Sequence, residues 1–200
     1  MNSPLNAVQL EQALRLLHDL LRLEDAEPIH LVVCGGSALI ALGLVPRTTR
    51  DLDLLALEEG GRLVAPVPLP SSLVAAATAV ATSLGLPSNW LNNGPSSGEG
   101  GLFQIGLPDG LQERLVTRVF GPALTVSFID RADQIPFKLW ASVDRGGYHI
   151  DDLLKLHPTE AELRAAALWT QEKDVSEGYR MLLIRLLTDL GFADVARSLV

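Results

Sequence analysis

Between Cys34 and Leu55 the chain reads CGGSALIALGLVPRTTRDLDLL. Two glycines and a serine leave one apolar run, Ile29 to Val33, and an Asp-x-Asp pair opens the next. Ile29 to Val33 is short and rich in β-branched residues, the composition of a buried strand. Asp51 to Leu57 alternates acidic and apolar residues before turning wholly apolar, which suits a strand with one polar face at its start. Aspartates two apart on a strand point to the same side, with their carboxylates a few ångströms apart. Such a pair is costly alone, because like charges repel and burial disfavours ionisation. A divalent cation removes both costs, and Mg²⁺ favours one or two protein carboxylates completed by phosphate oxygens and water. A Gly-Gly-Ser turn opening a helix supplies backbone N–H groups, a hydroxyl and close approach for an anion. Metal carboxylates facing a phosphate cradle make a site for phosphoryl or nucleotidyl transfer. Taken singly, the first motif is a tight turn and the second a solvated strand end. Their order is what carries the argument.

The flanking sequence predicts a mixed α/β core followed by helices. Leu5 to Leu23 places Leu10, Leu14, Leu17, Leu20 and Leu21 at helical spacing, and Pro28 marks the break after it. Ala38 to Leu44 reads as a short helix after the glycine turn. Glu58 to Pro70 reads as irregular, and a helix runs to Leu84 from an N-cap at Ser71 or Ser72, closed by Gly85 and Pro87. Ser88 to Gly101 reads as the longest loop and Leu102 to Leu107 as a strand. Arg114 to Phe120 and Ala123 to Ile129 form a hairpin around Gly121-Pro122. From Asp130 onward only helices follow: Ala132–Val143, His149–Leu156, Thr159–Gln171, Ser176–Leu190 and Phe192–Leu199, with capping-box spacing at Thr159 and Glu162. The expected organisation is an α/β (α+β) core over 1–130, with a mixed sheet flanked by helices, and a helical portion over 131–200 packed on it.

Charge narrows the partners. With 16 basic against 24 acidic residues, the net charge of −8 opposes broad electrostatic binding to nucleic acid. It leaves room for a nucleotide carried with its metal. No apolar run approaches the roughly 18 residues that would span a bilayer, so no membrane partner is expected. The N-terminus is amphipathic, without a basic start or a small-residue cleavage site, and there is one cysteine; a reducing cytoplasm is the expected compartment.

Gly35-Gly36-Ser37, followed by Arg47-Thr48-Thr49-Arg50-Asp51-Leu52-Asp53-Leu54, resembles the signature of the nucleotidyltransferase superfamily (polymerase-beta-like fold). Closest is the small bacterial branch that includes abortive-infection toxin-type nucleotidyltransferases. Ile135 to Ser142 is similar to that branch's lysine-bearing helix. Asp144-Arg145 and Ile150 to Leu156 are similar to its later Arg and Asp-Leu elements. The resemblance implies a nucleoside triphosphate held by Gly35, Gly36 and Ser37, with Ser37 on a phosphate. It implies Mg²⁺ (or Mn²⁺) on the catalytic Asp51 and Asp53. Arg47, Thr49 and Lys138 join the nucleotide-binding set, Lys138 as a phosphate contact or as an ordinary snorkelling lysine. Arg47 and Arg50 either face phosphates or neutralise the acidic pair. The family's further acid, on a later strand, has one nearby counterpart, Asp130, which at a strand end before a helix reads first as an N-cap. The implied reaction moves a nucleoside monophosphate to an acceptor hydroxyl on a protein, a small molecule or an RNA end, within a toxin–antitoxin or defence pair with a cognate antitoxin. The rival readings are a catalytically silent module that binds a nucleotide or a partner protein, and an interaction domain with an incidental acidic pair.

Other residues carry less. His149 with Asp151 and Asp152 is a metal site or a helix start, and Cys34 is a small core residue. Trp90 with Asn92 and Asn93 covers the pocket, reads a base, or lies in a surface loop. Trp140 and Trp169 read as core.

Overall fold

The computed structural model describes residues 4–98 and 100–199. The chain divides into two compact units, Met1–Asp130 and Arg131–Val200. The first is a mixed α/β unit and the second is helical.

In the first unit, α1 spans Ala7–Leu23 and buries Leu10, Leu14, Leu17 and Leu21 on one face. Each such leucine contributes about 1.5–3 kcal/mol by leaving water. The helix begins two residues later than the apolar periodicity predicts, because Asn6 takes the cap: its side chain accepts the Gln9 N–H and Gln9 returns the bond. Leu5 is thereby freed from the helix, and its backbone exchanges two hydrogen bonds with Thr49, at 2.7 and 2.9 Å. The loop before the aspartates is pinned to the N-terminal segment by this bridge.

β1 (Ile29–Cys34) leads directly into α2 (Gly35–Ala41), so the glycines are the first turn of the helix rather than a loop before it. β2 (Leu52–Glu59) and β3 (Arg62–Val64) follow. The expectation of an irregular stretch after Glu58 is corrected here. Gly60 and Gly61 both take positive φ, 56° and 81°, the conformation of a two-residue hairpin turn, and Glu59 pairs with Arg62. α3 (Ser71–Leu84) starts after Pro70, which stands at the cap without a side-chain bond, and closes on left-handed Gly85.

The stretch expected to be a loop contains β4 (Leu91–Asn92), which pairs in parallel with β2. Trp90 anchors it. Its indole is fully buried and donates to the Ala77 carbonyl at 2.9 Å, so it serves the core and is not a pocket cover or base reader. Leu102–Ile105 is a single helical turn, α4, not a strand; so short an apolar run fits either state by periodicity. β5 (Val116–Gly121) and β6 (Leu124–Phe128) form the expected hairpin.

Among the described residues the sheet runs β3-β2-β1-β6-β5, with β4 off the path on β2. β1 is antiparallel to β2 and parallel to β6. The mixed α/β class read from the sequence is what the chain adopts. Four strands are also tied by a line of side chains. Glu58 contacts His30 Nδ1, His30 Nε2 meets Ser127 Oγ at 2.7 Å, and Ser127 Oγ meets Thr117 Oγ1 at 2.7 Å. Ser127 is fully buried at its centre.

The second unit contains α5 (Arg131–Arg145), α6 (Tyr148–Lys155), α7 (Glu160–Lys173), α8 (Glu177–Asp189) and α9 (Ala193–Arg197). Thr159 and Glu162 form the predicted capping box. Ile135, Leu139, Leu153, Leu163, Ala167, Leu183 and Leu187 are buried in it. Phe137 stacks edge-on against Trp169 and Trp140 lies on Tyr179, with centroids 5.6 and 5.0 Å apart. No described helix is long and apolar enough to cross a membrane.

Candidate functional site

The two ends of the central stretch meet at the exit of β1. Antiparallel pairing sets Asp53 opposite Cys34, so its carboxylate stands beside the turn that follows Cys34. Gly35 enters that turn with φ +67°, which favours glycine, and a Cβ there would lie 2.8 Å from Asp53 Oδ2. A Cβ on Gly36 would come to 2.9 Å from both Arg47 Nη2 and Thr49 Oγ1. The first glycine is thus favoured both by its backbone and by the carboxylate packed on it, and the second leaves room for a guanidinium and a hydroxyl.

Asp51 sits just before β2, half-buried, and accepts from Thr49 Oγ1 at 3.2 Å. Thr49 is itself buried and held by the Leu5 bridge, so its hydroxyl is fixed in place for Asp51. Arg47 bonds the Thr48 carbonyl through Nη1 at 2.8 Å, which orients its planar fork over Gly36. Arg50 is exposed. Asp51, Asp53, Arg47, Thr49, Gly35 and Gly36 are thus brought into one locality by pairing and by turn geometry.

Two predicted contacts are placed differently. Ser37 is fully buried and its hydroxyl donates to the Cys34 carbonyl at 3.2 Å, so it closes the turn from inside. Lys138 belongs to the helical unit, where it donates to Asp152 Oδ2 at 2.8 Å with 6% and 1% of the two side chains exposed. Asp130 follows Ile129, whose N–H still bonds Val33 on β1, so it stands at the end of the β6 line.

Asn92, expected with Trp90 and Asn93 to cover the pocket, read a base or lie in a surface loop, instead bonds one of the aspartates. Asn92 pairs with Asp53 across β4 and β2, and its Nδ2 donates to Asp53 Oδ1 at 3.2 Å. Its other atom, Oδ1, accepts the Gly94 N–H at 2.8 Å. A two-residue strand inside a run of Asn, Gly, Ser and Pro carries no periodicity to reveal it; the only signal is the apolar Trp90-Leu91 pair interrupting that run.

The donor set suits a hard cation that shares its coordination. One oxygen of Asp53 faces Gly35, while Arg47 and Thr49 lie against Gly36 and Thr49 bonds Asp51. Among the described residues no group of three or more His, Cys, Asp or Glu side chains is placed to hold a metal. Asp51 and Asp53 are the carboxylates here that could serve such an ion. With seven residues, α2 is too short for its dipole to be the main attraction for an anion; the positive charge at the turn comes from Arg47. Neither family models, curated proteins nor solved structures provide a match to the chain.

Proposed function

We propose that the chain is a nucleotidyltransferase, dependent on Mg²⁺ or Mn²⁺, that moves a nucleoside monophosphate from a nucleoside triphosphate to an acceptor hydroxyl. The observation that carries the reading is the shared cradle: Asp53 Oδ2 against Gly35, with Arg47 and Thr49 against Gly36. A triphosphate lying along Gly35 and Gly36 would meet Asp53 beside the first glycine, and Arg47, Thr49 and the Thr49-bonded Asp51 beside the second. Asp51 and Asp53 hold the divalent ion, which when bound neutralises phosphate charge and favours the deprotonated acceptor. The acceptor oxygen attacks the α-phosphorus, the bond to the β-phosphate oxygen breaks, and pyrophosphate leaves along the glycine turn. The hydroxyl proton passes to water. Acceptor classes are a protein, a small molecule or an RNA end, and the net charge of −8 disfavours long RNA. A cognate antitoxin or other partner protein fits the same reading.

A second reading, nucleotide binding without transfer, is favoured by the inward Ser37 hydroxyl and by the pairing of Lys138 with Asp152. Thermal denaturation with each of the four nucleoside triphosphates, in Mg²⁺ and in EDTA, tests both. Metal-dependent stabilisation that disappears in Asp53→Asn is the expected result, and its absence for every nucleotide in the unaltered chain rejects both readings. Transfer of α-³²P label to protein, RNA or small acceptors separates the transferase from the silent binder.

A further inference from the structure

We propose that Asn92 is the positioning residue for Asp53, an inference that rests on the metal–nucleotide reading above. The side-chain amide is held at both ends. Gly94 N–H occupies Oδ1 at 2.8 Å, so the amide cannot turn over without setting its NH₂ group against another donor. Its Nδ2 therefore faces Asp53 and bonds Oδ1 at 3.2 Å. With Oδ1 engaged by Asn92, Oδ2 lies toward the Gly35 turn, 2.8 Å from where a Cβ would stand. Parallel pairing sets Asp53 and Asn92 at neighbouring register positions, so the backbone brings the two side chains within reach of each other.

This gives β4 a purpose that its two residues would not otherwise have. A polar partner that orients a metal-binding carboxylate is worth as much to affinity as many direct contacts, with typical losses of tenfold or more on removal. Trp90 supplies the rigidity. Buried, and bonded to Ala77, it holds β4 against β2 with Asn92 two residues further along.

The test uses the full chain and inorganic tripolyphosphate, which removes the question of the base. Binding is measured by calorimetry in Mn²⁺ and in EDTA, and the ratio of the two affinities is the metal-dependent gain. Asn92→Ala is expected to lower that gain about tenfold while leaving binding in EDTA unchanged. A residue with only a structural role would lower both together. Gly94→Ala provides an independent route, since its Cβ would stand 2.9 Å from Asn92 Oδ1 and displace the amide without opening a cavity; the same selective loss is expected. A gain that survives in Asn92→Ala or Gly94→Ala, while Asp53→Asn abolishes it, overturns the positioning role and leaves the metal–nucleotide reading standing. No gain in the unaltered chain overturns both.

Discussion

Gly35 is the residue on which the site depends most sharply. It has a positive φ, and the space its Cβ would fill belongs to Asp53 Oδ2 at 2.8 Å. Gly35→Ala therefore carries two penalties. A left-handed conformation costs an L-residue about 1–2 kcal/mol, and the new methyl group pushes the carboxylate away from the turn. The expected outcome is a lower denaturation midpoint together with loss of metal-dependent nucleotide stabilisation. Gly43 also has positive φ, 69°, but nothing lies within 4 Å of its Cβ position; Gly43→Ala should lower the midpoint and leave ligand stabilisation intact. Comparing the two variants by thermal denaturation separates the cost of the backbone from the cost to the site. The same residue shows how much of the site the sequence reveals. A Gly-Gly pair before Ser37, and two aspartates two apart, are local patterns and can be read directly. Nothing local says that Ser37 turns inward or that an asparagine 39 residues beyond Asp53 lies beside it. Those facts come from tertiary pairing.

Among the elements, the long and strongly patterned ones were legible and the short ones were not. α1, β1, β2, α3 and the β5–β6 hairpin follow from apolar periodicity with glycine or proline at their ends. β3 hides behind its Gly60-Gly61 turn, β4 is two residues long, and α4 is one turn whose run suits a strand equally well. Short elements exist because neighbours complete them, not because of their own propensity. The polar line across β5, β6, β1 and β2 is another feature beyond local pattern, since Thr117, Ser127, His30 and Glu58 come from four separate segments. Its centre is the point of weakness. Ser127→Ala removes the hydroxyl that His30 and Thr117 share, within a fully buried position. A loss of about 1–3 kcal/mol is expected, the cost of leaving buried polar partners unmatched, read as a lower urea midpoint. Ser127→Thr, which keeps the hydroxyl, should recover part of it. The helical unit has a counterpart in Lys138 and Asp152. Lys138→Met leaves Asp152 buried without its cation and should cost about 3–5 kcal/mol, whereas Lys138→Met with Asp152→Leu should cost much less.

At the scale of the whole molecule, a chain with net charge −8 is set to respond to acid, and the helical unit holds the group that reports it. Arg131 donates to the Leu156 and His157 carbonyls at the end of α6 and forms a two-pronged pair with Glu162 at the start of α7. The Arg131 hydrogen bond, helped by the bonds from Thr159, pulls the Glu162 carboxyl down from 4.5 to about 2. A carboxyl whose folded pKa is depressed binds protons more readily when unfolded. Its contribution is therefore complete above pH 4.5 and is lost as the pH falls toward 2. About a third of each side chain meets solvent, 35% for Arg131 and 32% for Glu162, so screening reduces the contribution to about 1 kcal/mol. Ser176 lowers half-buried Asp174 and Arg180 lowers exposed Glu177, so both shift in the same direction. Tryptophan placement makes the effect measurable, because Trp140 and Trp169 lie in the helical unit and Trp90 in the other. In a Trp90→Phe background, urea unfolding followed by fluorescence reports the helical unit. Glu162→Gln should lower its stability by about 1 kcal/mol at pH 6, and the difference from the parent should shrink through pH 4 and vanish near pH 2. A difference that stays constant with pH would assign the loss to the Thr159 capping box rather than to the charge on Glu162.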